Sequence, residues 1–83
     1  MDPDALIARY LEPNPNKPGP ADVWLKDYGV SVWALVGCWQ AAEHDVDRVA
    51  ADYEVPRQAV EAALAYYERN RAVIDARLAA NAV

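Results

Sequence analysis

Apolar residues recur along this chain at two different spacings. From Asp2 to Leu11, Leu6, Ile7, Tyr10 and Leu11 fall on one side of a short helix of about two to three turns. Asp2 suits the N-cap, Pro3 the first helical position, and Asp4 the positive end of the helix dipole. A helix this short is unstable alone and needs a surface to lie on. The next stretch, Glu12–Pro20, holds four of the six prolines, which exclude helix and central strand and predict an extended connector or strap. Between Ala21 and Val32 the pattern alternates. Val23-Trp24-Leu25, a turn over Lys26–Gly29 and Val30-Ser31-Val32 predict a short hairpin or one edge strand.

From Val32 onward the spacing is helical again. Val32, Leu35, Val36, Trp39 and Ala42 share a face, and Ala34, Cys38 and Ala41 make the opposite face apolar too, which predicts a central buried helix. Cys38 reads as a small core residue. After a cap at His44 or Asp45, the residues Val46, Val49, Ala50 and Tyr53 predict a third helix, which Glu54-Val55-Pro56 ends. Pro56 opens a last helix from Arg57 to about Ala80, uninterrupted by Gly or Pro and roughly 35 Å long at the usual rise per residue. Its seam of Val60, Leu64, Tyr67, Ile74 and Leu78, with Arg71 in the gap, runs past what so small a domain could cover. The second half is therefore expected to meet a second chain, with folding back on the N-terminal helix as the alternative.

Length fits one domain: 83 residues bury only about 60% of their unfolded surface, so an isolated monomer is marginal. The division expected within it is an N-terminal helix and Pro-rich arm over 1–20 and a helical domain over 21–83. An apolar fraction of 54% with 25% charged residues excludes disorder over most of the length. The longest apolar run, Val30–Trp39, is too short to span a bilayer, and the acidic start predicts no secretory signal, so a cytoplasmic protein without membrane contact is expected. One cysteine excludes an intrachain disulfide. The net charge is −5, with three basic and six acidic groups in residues 1–44 and five and seven in 45–83, so neither half is a basic arm for nucleic acid.

The segment Asp47–Leu64 has the layout of a helix-turn-helix. Small Ala50 and Ala51 permit a close crossing, apolar Val55 plugs the turn, and Val60, Ala63 and Leu64 face inward; Glu54 stands where many such turns have glycine. Arg48, Arg57, Gln58 and Glu61 are the candidate DNA contacts. Arg57 and Gln58 suit guanine and adenine edges, while Glu61, Asp52 and Glu54 oppose phosphate. Packing alone accounts for the motif equally well. Interface candidates are Trp24, Tyr28, Trp33, Tyr67, Arg71, Ile74 and Leu78, since Trp and Tyr are enriched at interfaces. The chain has no Gly-rich phosphate loop, nucleophile elbow or His–Glu metal pair, and His44 reads as part of a solvated turn. No enzyme, cofactor or metal site is expected.

Three stretches also carry a resemblance. Gly29-Val30-Ser31-Val32-Trp33-Ala34-Leu35-Val36, then Val46–Tyr53 with Pro56–Tyr67 (PRQAVEAALAYY), then Arg71–Asp75 resemble, in order and spacing, segments of the bacterial "domain of unknown function 433" family. The resemblance covers about Asp22 to Leu78. It implies a mainly α, homeodomain-like helix-turn-helix bundle with a short β element and a long C-terminal helix. It further implies an antitoxin encoded beside a PIN-like ribonuclease toxin, which it neutralises, acting as a homodimer that also represses its own operon. The Pro-rich arm departs from the family. Ser31 stands near the place of an arginine in the family's first motif, so no role of that arginine carries over. The alternatives are a dimeric, sequence-specific regulator that binds operator DNA without a toxin, and a dimeric scaffold without either ligand.

Overall fold

A computed structural model of the chain describes residues 2–81, so the ends of the expected 1–20 and 21–83 spans lie outside the described residues. The first helix, α1 (Pro3–Tyr10), starts as its sequence dictates: Asp2 accepts a hydrogen bond from the Ala5 amide (2.9 Å) and Pro3 occupies the first position. Leu11 is not part of it. It leaves the helix in an extended conformation and opens strand β1 (Leu11–Glu12), whose second residue Glu12 is kept out of helical geometry by Pro13.

The Pro-rich connector turns on Asn14, whose Oδ1 accepts from the amides of Asn16 (2.8 Å) and Lys17 (3.2 Å). Asn14 is itself buried. The turn leads to a single 3-10 turn (Pro20–Asp22) and strand β2 (Trp24–Leu25), which pairs antiparallel with β1, Leu11 opposite Leu25 and Glu12 opposite Trp24. Of the two outcomes expected here, a hairpin or one edge strand, the second forms. The hairpin's turn is present, with Gly29 at φ 66° and the Leu25 amide donating to the Val30 carbonyl (2.8 Å). Its second strand shrinks to one bridge, Trp24 to Ser31, because Val32 already begins a helix.

That helix is α2 (Val32–Ala41), with Val32, Leu35 and Val36 in the core. Its Glu43-His44 exit has two successive positive φ angles, and the His44 ring stacks on Trp39 at 3.9 Å. Asp45 caps α3 (Val46–Tyr53) by accepting from the Arg48 amide (3.1 Å). Glu54 ends α3 in the left-handed conformation, its amide donating to the Ala50 and Ala51 carbonyls, and buried Val55 plugs the connection. The next helix, α4 (Arg57–Arg69), turns Ala59, Val60, Ala62 and Ala63 inward with no exposure at all. These small residues let α1, α2 and α3 all pack on it.

The largest correction is at Asn70. The expected single helix is two: α4 stops at Arg69, Asn70 takes φ −139°, and α5 (Arg71–Asn81) turns back onto α2 and the 3-10 turn. The Asn70 side-chain amide donates to the Tyr66 carbonyl (2.9 Å), satisfying an acceptor that continued helix would have used. The reason for the break is burial. A straight helix of about 35 Å would exceed the protein's longest extent of 31 Å and leave its seam bare. Folded back, α5 buries Ile74 completely and brings Leu78 against Gly37, where an added Cβ would lie 3.1 Å from the leucine Cδ2. The expected contact of this stripe with a second chain is replaced by contact within the same one. Five α-helices and one two-stranded sheet thus share a single core among the described residues, and the expected N-terminal arm is built into it through Leu6 and Leu11.

Candidate functional site

The outward side of α3 and α4 carries the residues expected to touch DNA. Arg48 lies 3.9 Å from Asp52 one turn away, both exposed. Arg57, at the start of α4, is clamped twice: it pairs with Asp47 across from α3 and donates to Glu61 (3.1 Å) one turn on. The Asp47 hydrogen bond, reinforced by Glu61, pushes the Arg57 guanidinium above its ordinary value. Gln58 is engaged by a different element, its Oε1 accepting from the Tyr10 hydroxyl (3.0 Å). Asp47, Asp52, Glu54 and Glu61 therefore set four carboxylates against the two guanidinium groups of Arg48 and Arg57 on this face. A face of that sign repels phosphate and attracts cations.

The expected interface residues divide. Tyr67 (4% exposed) and Ile74 are core, and Leu78 packs against that core. The Tyr67 hydroxyl donates to Asp75 (2.7 Å), and Arg71, paired with Glu68, lies 4.9 Å from the Tyr67 ring. Trp33 lies under Arg77, whose guanidinium is 4.6 Å from the indole and 3.2 Å from Asp22. The Trp33 Nε1 is buried without a hydrogen-bond partner. Trp24 is fixed by its Nε1 donating to Glu12 (2.8 Å). Of the aromatic and aliphatic residues among them, Tyr28 alone stands out of the surface, 45% exposed.

Tyr28 borders a cleft of ≈ 310 Å³ between the end of α1, the turn after β2 and the start of α4, lined also by Arg9, Tyr10, Lys26, Asp27 and Pro56. Lys26 donates to the Ala8 carbonyl (2.6 Å), satisfying one of the last acceptors of α1 without losing its charge to a carboxylate. Arg9 lies 5.3 Å from the Tyr10 ring. Neither Arg9 nor Lys26 pairs with a carboxylate among the described residues. The sequence reading passed over this cleft, since its parts come from three separate elements. Local spacing gives no signal for it: Glu12 and Asp22 lie three and four residues from Arg9 and Lys26, yet Glu12 accepts from Trp24 and Asp22 pairs with Arg77.

Among the described residues no group of His, Cys, Asp and Glu could hold a metal ion, and no helix is long and apolar enough to cross a membrane. No protein-family model, curated protein or solved structure matches the chain.

Proposed function

We propose that this protein is an antitoxin-like interaction protein that neutralises a PIN-like ribonuclease toxin by covering its RNA-binding cleft. The observation that carries the reading is the self-neutralised, acidic face of α3 and α4. Its arginines are held by Asp47, Asp52 and Glu61, and the remaining carboxylate charge complements a basic cleft. The motif resemblance supports the same class of partner. The α3–Glu54-Val55-Pro56–α4 unit is read as a helix-turn-helix used for packing and protein contact, with the pair acting in the cytoplasm. A homodimer through Tyr67, Ile74 and Leu78 is not part of the proposal, because that stripe is used within the chain.

The test is co-expression of the tagged chain with the product of the gene beside its own, followed by light scattering. A complex of defined stoichiometry that has lost ribonuclease activity is expected. Recovery of this chain alone overturns the reading.

One observation favours a second reading, a regulator that binds operator DNA: Arg57 and Gln58 stand exposed at the start of the second helix of the unit. DNA would have to displace Asp47 and Glu61 from Arg57. Binding to DNA upstream of its own gene that is lost in Arg57→Ala would establish this reading, and equal binding by both proteins would remove it.

A further inference from the structure

We propose that the cleft bounded by Arg9, Lys26 and Tyr28 binds a phosphate monoester carried on a planar ring, the mononucleotide class. The inference is independent of the partner reading above, since the cleft shares none of the acidic residues of the α3–α4 face.

Charge is the first argument. Five of the eight cations, Arg48, Arg57, Arg69, Arg71 and Arg77, sit in ion pairs. Two of the other three, Arg9 and Lys26, line this one cleft. In a chain of net charge −5 that is the place where positive charge is left uncompensated. Asp27 is the one carboxylate of the lining, and it forms no ion pair with either cation.

Donor geometry is the second. An ammonium has three protons, and the Ala8 carbonyl takes one from Lys26. The Arg9 guanidinium makes no hydrogen bond to protein among the described residues, so its full fork of donors is free. Two cations on different elements suit a group with three acceptor oxygens and up to two negative charges better than a carboxylate with one. Pro56 adds to the same sign, because it opens α4 with no side-chain cap.

Shape is the third. Among the described residues Tyr28 is the one large apolar side chain standing exposed, and it does so at the rim of the cleft, where a ring can stack on it. At ≈ 310 Å³ the cleft lies at the small end of ligand sites, which suits one nucleotide and not two. The backbone of the adjacent rim residue Asp27 is held at φ 68°, a left-handed conformation with a steric cost.

The experiment is a titration of the full chain with AMP, followed by the backbone amide signals of residues 8–10, 26–28 and 57–58, beside parallel titrations with adenosine, inorganic phosphate and benzoate. AMP is expected to shift these signals and to bind more tightly than any of the three others. Arg9→Gln and Tyr28→Ala, neither of which removes a protein hydrogen bond, should each weaken AMP binding by about tenfold while leaving the fold intact by circular dichroism. A 5′-phosphorylated trinucleotide binding more tightly than AMP would assign the same chemistry to the end of a strand. No shift with AMP at millimolar concentration, equal affinity for benzoate, or unchanged affinity in both variants would overturn the proposal.

Discussion

At the scale of single residues, two side chains stand in positions that their chemistry makes measurable. Glu54 takes the left-handed conformation that ends α3, a place that glycine occupies without steric cost. Glu54→Gly should raise stability by about 0.5 kcal/mol, since relief of strain outweighs the added freedom of the unfolded chain; urea unfolding would read it as a higher midpoint at unchanged slope. Tyr67 is the second. Its hydrogen bond to Asp75, then its burial, raise the phenol above its ordinary value. The folded state therefore keeps a proton that the unfolded chain releases. That contribution is complete below about pH 10 and is lost as pH rises through the folded value. Tyr67→Phe should flatten the alkaline fall in stability, leaving the part due to Tyr53 and Tyr66, whose burial shifts them the same way.

At the scale of elements, the break at Asn70 decides where the hydrophobic seam goes. Ile74 is fully buried against its own chain. Ile74→Ala should cost about 2–5 kcal/mol, and the unfolding midpoint should not change with protein concentration; a midpoint that rises with concentration would return Ile74 to an interface between chains. Arg77 ties α5 to the 3-10 turn through Asp22, with both side chains about four-fifths buried, and covers Trp33. Arg77→Ala should cost about 1–2 kcal/mol by thermal melting, more than the exposed pairs Arg48–Asp52 or Arg71–Glu68. The caps and periodicities of α1, α2 and α3 could be read from Asp2, Pro3, Asp45 and the apolar faces, because those signals are local. The pairing of Leu11 with Leu25 could not, since two-residue strands carry no periodicity and an Asn14 turn brings them together from 14 residues apart. The Asn70 break was hidden for a related reason. Local propensity there permits continued helix, and only the burial of Ile74 and Leu78 opposes it; the visible trace is Arg71, the polar gap in the seam, which proves to be the first residue of α5.

At the scale of the molecule, charge is segregated more finely than a net −5 suggests. The candidate DNA contacts Arg48 and Arg57 were legible as outward residues, but not as clamped ones. Whether Asp47 reaches Arg57 depends on the angle between α3 and α4, which a separation of 10 in sequence does not reveal. The same tertiary arrangement leaves the acidic face available to a basic partner and gathers Arg9 and Lys26 into the cleft on another side of α4. The account stands on the acidic face, and a charge reversal there tests it most directly. The tagged chain and its Asp47→Lys/Asp52→Lys variant would each be co-expressed with the product of the adjacent gene, and the recovered complex weighed by light scattering. The account predicts a complex with the original chain, weakened by salt, and loss of that complex in a variant that still folds. Equal recovery of the complex by both proteins, insensitive to salt, would contradict it.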